Sequence, residues 1–201
     1  MRTEHSLKES DMNYRKLPKG YRYAGTLDFT RNRGQVMAML KLAIVLTLVP
    51  LVIGAIVSFA RPEVMGFIRQ WRLWLAMGLM LIAYIPLHEA VHGIVMFALS
   101  GVRPGFGFRL PYAYAGSTVW FDRRSHVTTA LAPVVFWGVV LQILIFILPE
   151  GWFWPLWAVQ ISNLSGSAGD IYCAWALRRM DGELLIQDTD TRMRVMRYVE
   201  K

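Results

Sequence analysis

Residues 71–100, WRLWLAMGLMLIAYIPLHEAVHGIVMFALS, form an apolar stretch with a cluster of histidine and glutamate residues inside it. At a rise of about 1.5 Å per residue, a helix of this length can cross a lipid bilayer. The cluster is His88, Glu89 and His92, which lie within little more than one helical turn. Because such side chains are costly at membrane depth, the group indicates a functional site.

The spacing of the two histidines indicates a metal site. Side chains at positions i and i+4 share one helix face, so His88 and His92 can bind a single ion. Glu89 stands beside them and can act as a general base, as in the His-Glu-x-x-His pattern of zinc hydrolases. The sequence therefore predicts a zinc-dependent hydrolase. The competing interpretation is a buried polar cluster that holds helices together.

Three further stretches are long and apolar enough to cross a membrane: residues 36–60, 127–148 and 152–177. The chain is 55% hydrophobic, whereas soluble domains average about 45–50% even with glycine counted. We therefore predict an all-α membrane protein with four transmembrane helices. The expected segments are a basic N-terminal segment, a transmembrane domain and a C-terminal tail, at residues 1–35, 36–180 and 181–201.

The distribution of positive charge predicts the topology. The formal net charge is +8, and eight of the 22 Lys and Arg residues precede Val36, four lie between Gly101 and His126, and six follow Leu177. With four spans, these basic segments fall on one side of the membrane, and the positive-inside rule places both termini in the cytoplasm. We therefore interpret the basic excess as a topology signal and expect no nucleic-acid partner.

The segment at residues 101–121 is rich in Gly, Phe and Tyr, and its two prolines exclude a continuous helix. We predict a membrane-associated β-hairpin or looped strand here, with a turn at residues 115–117. The alternative is an aromatic loop at the depth of the lipid headgroups. An extended substrate could pair with this strand by β-augmentation. The predicted substrate contacts are Asn163, Gly105, Phe106, Gly107, Phe108, Tyr112 and Tyr114.

Asp170 is the predicted third metal ligand, because a catalytic zinc usually has three protein ligands. It is the only acidic residue besides Glu89 inside the four spans. His92 lies eight residues before Ser100, and Asp170 lies eight residues before Arg178. Both are therefore about 12 Å below the same membrane surface. The alternative is that Asp170 pairs with a buried Arg or His.

Four residues near these ligands have weaker signals. Asn163 lies seven residues before Asp170 on the same helix face, and it could orient a ligand or stabilise an oxyanion. Tyr84 lies one turn before His88, and we interpret it as a packing aromatic residue, with a hydrogen bond to a ligand or to the substrate as the alternative. His126 is interpreted as a residue of the membrane interface, and Cys173 as a small packing residue. Two short strands, at residues 21–29 and 183–186, are weakly indicated.

The chain resembles a family of small bacterial integral membrane proteins described as zincin peptidases. The resemblance covers roughly residues 15–195 and depends on four features: the His-Glu-x-x-His motif of span two, the aromatic segment at 105–114, Ala132-Pro133, and the small-residue run that ends at Asp170. More distantly, the chain is similar to the site-2 proteases, which cut transmembrane segments. Those enzymes have Leu-Asp-Gly at the third ligand, where this chain has Gly169-Asp170-Ile171.

The resemblance implies an intramembrane peptidase of the bacterial cytoplasmic membrane. Its cofactor would be Zn²⁺, its general base Glu89, and its substrate a membrane protein that the hairpin presents. A homodimer is compatible with four spans. The competing interpretation is a non-catalytic, zinc-binding scaffold that binds a partner helix. A metal transporter is weakly supported, because the spans contain no second metal site.

Overall fold

The computed structural model describes residues 13–28, 32–109, 112–189 and 192–200. The described chain is mostly helical, with two antiparallel sheets. Its helices are α1 (Arg33–Ala60), α2 (Trp71–Ser100), α3 (Arg123–Ile147), α4 (Phe153–Gly166) and α5 (Ala168–Arg178). Its strands are β1 (Asn13–Tyr14), β2 (Tyr21–Asp28), β3 (Gly105–Arg109), β4 (Tyr112–Gly116), β5 (Trp120–Asp122), β6 (Leu184–Thr189) and β7 (Arg192–Tyr198). Two 3₁₀ segments, Pro62–Arg69 and Glu150–Trp152, follow α1 and α3.

Helices α1, α2 and α3 are each long and apolar enough to cross a membrane. Their most apolar windows are only 11%, 28% and 17% buried within the chain. Large apolar side chains that are exposed along whole helices are stable in lipid but not in water, so the chain is a membrane protein. The predicted first three spans correspond to these helices, and α2 has the predicted bounds.

The fourth predicted span is divided into α4 and α5, which have 14 and 11 residues. Ser167 alone separates them, and backbone bonds continue across it: the amide of Ser167 donates to Asn163, and that of Ile171 donates to Ser167. The interruption falls in a run of small residues, where glycine lowers helix propensity. Neither helix alone is long enough to cross a bilayer.

A five-stranded antiparallel sheet, which the all-α prediction omitted, joins the two ends of the described chain. Its strand order is β1-β5-β6-β7-β2, and β2 pairs with β7 from Tyr21↔Tyr198 to Asp28↔Arg192. The predicted tail at 181–201 therefore contains two strands of a sheet. Alternation in β7, where Met193 and Val195 are buried and Arg194 is exposed, was the available signal.

Strands β3 and β4 form the predicted hairpin, with the register Gly105↔Gly116 and Arg109↔Tyr112. The connecting residues 110–111 lie outside the described residues. The predicted turn at 115–117 is wrong, because Ala115 and Gly116 belong to β4. Two prolines and the alternating aromatic residues favour extended backbone throughout this segment.

The chain divides into two compact units. The first contains the described parts of residues 1–36, 89–130 and 173–201, with both sheets. The second contains residues 37–88 and 131–172. The predicted boundaries at residues 35 and 180 stay predictions, and residues 1–12 of the predicted N-terminal segment lie outside the described residues.

Each unit has its own apolar core. In the second unit, Tyr84, Leu141, Leu156 and Val159 are buried together. In the first, the core includes Met96, Val119 and Phe121. The indole of Trp157 anchors α4 to α1, because its Nε1 donates to the carbonyl of Pro50 at 2.9 Å.

Candidate metal centre

His88, Glu89 and His92 lie on adjacent turns of α2 and offer ligand atoms within 4.8 Å of one another. Each histidine is only 8% exposed, and Glu89 is half-buried. Imidazole nitrogen and carboxylate oxygen are ligands that Zn²⁺ prefers in proteins, and a catalytic site usually has three protein ligands. The donor set on this helix therefore suits zinc.

A backbone carbonyl fixes the orientation of His92. Its Nδ1 lies 2.9 Å from the carbonyl oxygen of Thr129 in α3. A carbonyl only accepts hydrogen bonds, so the proton of a neutral His92 is on Nδ1. The lone pair of this tautomer is on Nε2, the form in which an imidazole binds a metal. Buried partners of this kind orient the ligands in many metal sites.

Asn163 and Tyr84 fix His88 in the same way. The Nδ2 of Asn163 donates to the carbonyl of Val134 at 3.1 Å, and the Tyr84 hydroxyl donates to Oδ1 of Asn163 at 2.7 Å. Because a hydroxyl has only one proton, the oxygen of Tyr84 accepts in its contact with Nδ1 of His88, at 2.6 Å. A neutral His88 therefore has its proton on Nδ1 and its lone pair on Nε2.

The carboxylate of Asp170 lies beside Nε2 of His88. Its Oδ2 is 3.4 Å from Nε2 of His88, in the first turn of α5. Two ligand atoms on one tetrahedral zinc, each at about 2.0–2.2 Å from the ion, are about 3.4 Å apart. The spacing of this pair therefore fits a shared zinc ion. It also fits a direct ion pair between Asp170 and a protonated His88.

The structure shows which groups Asn163 and Tyr84 contact. Asn163 is fully buried, and both ends of its amide are bonded, an arrangement that favours the ligand-orienting role. Tyr84, interpreted from the sequence as a packing residue, links Asn163 to His88. The spacing of four residues between Tyr84 and His88 was the sequence signal for their contact. The other partner of Tyr84 is Asn163, which lies 79 residues away in the sequence.

His126, assigned from the sequence to the membrane interface, is buried inside the first unit. It is 2% exposed, and its Nε2 lies 3.8 Å from the thiol of Cys173. The same thiol lies 3.2 Å from the sulfur of Met193 in β7. Cys173 therefore packs in the interior of the first unit, as the sequence predicted.

The hairpin meets helix α2 immediately after His92. A Cβ built on Gly93 would lie 2.3 Å from Cζ of Phe106, so this ring packs directly on the helix backbone. Phe106 and Phe108 are 59% and 66% exposed and share a face of the hairpin. Tyr114 lies across from Gly107 on the opposite face. For Tyr112 only the backbone is described.

Comparison with curated proteins and with solved structures gives no match. A family model described as "Putative zincin peptidase" matches residues 81–184, about half of the chain. The matched range contains His88, Glu89, His92 and Asp170, together with the whole hairpin. The chain therefore belongs to this zincin peptidase family.

Proposed function

We propose that this protein is a zinc metallopeptidase that hydrolyses a peptide bond in or near a transmembrane segment of a membrane-protein substrate. The main support is the hydrogen bonding around His88 and His92, which places the proton of each neutral ring on Nδ1 and the lone pair on Nε2. The carboxylate of Asp170 lies 3.4 Å from one of these nitrogens. A buried polar cluster that only packs helices together does not require both histidines to have their protons on Nδ1.

The catalytic roles follow from the chemistry of the side chains. His88, His92 and Asp170 would hold Zn²⁺, which lowers the pKa of a coordinated water toward about 7 and polarises a carbonyl group. Glu89 takes a proton from the attacking water and returns it to the leaving amine. Tyr84 and Asn163 do not touch the substrate in this proposal, and they hold His88 in its metal-binding orientation.

The hairpin offers a surface for an extended substrate. A two-stranded sheet has unpaired backbone groups along its outer edges, and such edges pair with added strands. Pairing also holds the substrate extended, so its peptide carbonyls are not bonded within a helix. Because Phe106 packs against Gly93, a strand added at Gly105–Arg109 would lie near the end of the metal-binding motif.

The five-stranded sheet supports four membrane crossings. Strand β2 precedes α1 and β7 follows α5, yet the two strands pair, so both lie on one side of the membrane. Strand β5, between α2 and α3, pairs with β6 and shares that side. Helices α1 and α2 then cross the membrane once each, which brings the chain back to this side. If α3 crosses next, α4 and α5 together must form the crossing that returns the chain to the side of β6 and β7. The basic charge of these segments favours the cytoplasm for this side.

Zinc content and cleavage, measured together, test the proposal. The purified wild type and Glu89→Gln should each hold about one zinc per chain, and Asp170→Ala much less, because a catalytic zinc needs its third ligand. In cells, the wild type should shorten one or more membrane proteins that accumulate uncut with Glu89→Gln. Glu200→Gln and Asp181→Ala are exposed controls that change the same residue types and should match the wild type.

Each contrary result has a defined meaning. One zinc without any difference in cleavage between wild type and Glu89→Gln would support a zinc-binding scaffold instead of an enzyme. Equal zinc in Asp170→Ala would remove Asp170 from the ligand set. A folded wild type that binds no zinc would identify the histidines as a helix-packing cluster.

A further inference from the structure

A cavity of about 590 Å³ lies in the first unit, away from the metal-binding residues. Its size is typical of sites that bind small molecules or headgroups. The first two turns of α3, the last turn of α5 and the start of β6 form its walls. The lining residues are Asp122, Arg123, Arg124, Val127, Thr128, Arg178, Gly182, Glu183 and Leu184.

Three guanidinium groups surround this cavity without a carboxylate partner in the described part of the chain. Arg123 is held in place, because its Nη2 donates to the carbonyls of Met180 and Gly182 at 2.5 and 2.6 Å. Its Nε is buried and has no acceptor among the described residues. Arg124 and Arg178 are exposed and form no ion pair in those residues. Three like charges around one cavity favour the binding of an anion.

The two acidic residues of the cavity wall are bonded elsewhere. Asp122 caps α3, since its Oδ1 accepts the amide of Ser125 at 2.6 Å. Glu183 accepts a hydrogen bond from the Tyr21 hydroxyl. Burial and the neighbouring Glu183 carboxylate raise the pKa of Tyr21, so this phenol stays protonated as the donor. Neither carboxylate therefore neutralises the arginines through a direct ion pair.

The position of the cavity indicates which anion it binds. Helix α3 is a candidate membrane span that begins at Arg123, and four of its first six residues line the cavity. Six residues of helix rise by about 8 Å, which corresponds to the headgroup layer at one side of a bilayer. Val127 and Leu184 add apolar wall beside the arginines, which suits the first methylene groups of the acyl chains of a lipid.

We propose that this cavity binds the phosphate-bearing headgroup of an anionic phospholipid. Arginine forms bidentate hydrogen bonds with phosphate oxygens, and basic pockets between membrane helices bind anionic headgroups. The Met180 and Gly182 carbonyls hold Arg123 in the wall, and the exposed Arg124 and Arg178 are available to contact the phosphate. The proposal does not depend on zinc or on proteolysis.

The test is a lipid titration of the delipidated, full-length protein in neutral detergent, with bound lipid counted by native mass spectrometry. Phosphatidylglycerol should bind the wild type, and R124Q/R178Q should weaken this binding about tenfold or more. R22Q/R194Q removes the same charge from exposed positions of the five-stranded sheet, and it should stay within about twofold of the wild type. R124K/R178K should be intermediate, because lysine keeps the charge without the bidentate geometry.

Three results would overturn the proposal. Equal weakening by both double glutamine variants would show that only the overall surface charge matters. Equal affinity for phosphatidylcholine and phosphatidylglycerol would exclude a site for an anionic headgroup. Displacement of the lipid by millimolar inorganic phosphate would identify a site for free phosphate. Circular dichroism checks that each variant is folded, and the single variants R124Q and R178Q, each expected to weaken binding, replace the double variant if it unfolds.

Discussion

At the scale of single residues, the hydroxyl group of Tyr84 contacts Nδ1 of His88, and in the proposed site this contact leaves Nε2 as the metal-binding nitrogen. Tyr84→Phe keeps the aromatic packing but removes the acceptor for Nδ1–H of His88 and the donor to Asn163. Loss of such a supporting hydrogen bond typically weakens metal binding by about 10–100-fold. We therefore expect this loss of zinc affinity, measured by competition with a chromophoric chelator. Tyr23→Phe, which removes an exposed hydroxyl bonded to Thr26, is the control.

Asn163 should act through the same chain of hydrogen bonds. In Asn163→Ala the proton of the Tyr84 hydroxyl is no longer directed to an amide oxygen, so it can turn toward Nδ1 of His88. The proton of His88 would then shift to Nε2, where it opposes metal binding. Because both substitutions break one network, their effects on zinc affinity should not add in the double variant. Additive losses would show that the two residues act separately.

The sequence was sufficient for the metal motif but not for the groups that orient it. Spacing identifies His88, Glu89 and His92, because residues of one helix face have fixed intervals. Counting from the helix ends then selects Asp170. The role of Tyr84 depends on a contact between α2 and α4, and nothing local specifies which helices are neighbours.

At the scale of elements, the contact between the hairpin and α2 should matter for substrate cleavage more than for metal binding. In Gly93→Ala the new Cβ would lie 2.3 Å from Phe106, so the ring, and the strand that carries it, must move. Gly78→Ala in the same helix meets nothing within 4 Å and gains the same helix propensity, worth about 0.5–1 kcal/mol. We expect Gly93→Ala to reduce cleavage and to keep zinc, with Gly78→Ala unchanged in both.

Zinc content, cleavage and limited proteolysis of the hairpin measure this difference. Faster proteolysis near residues 105–116 in Gly93→Ala alone would locate the change in the hairpin. Full cleavage activity in Gly93→Ala would argue against a role of the hairpin in presenting the substrate.

Element boundaries were predictable where composition changes sharply and less so elsewhere. The bounds of α2 follow from its apolar content. Helix α3 begins four residues before the predicted span, because Asp122 caps it and its first turn is polar. The interruption at Ser167 could not be inferred from hydropathy, since a single residue barely changes the average over a span.

At the scale of the whole molecule, the five-stranded sheet was the main omission. Its longest strand pair, β2 with β7, joins residues about 170 positions apart in the sequence, and local patterns do not reveal such a pairing. The strands predicted at residues 21–29 and 183–186 correspond to β2 and overlap β6, whereas the basic residues of β7 favoured the interpretation of its segment as a tail. The pairing of β2 with β7 nevertheless constrains the membrane topology, because hydrogen-bonded strands cannot lie on opposite sides of a membrane.

The number of crossings can therefore be tested by its parity. Single cysteines are placed in a Cys173→Ser background at Met65, Glu150 and Asp181, in the segments that follow α1, α3 and α5. With four crossings, a membrane-impermeant maleimide added to intact cells should label the cysteines at 65 and 150. The cysteine at 181, and one introduced at Lys19, should react only after permeabilisation. Labelling of 19 and 181 from opposite sides would mean an odd number of crossings, and β2 could then not pair with β7 in the membrane.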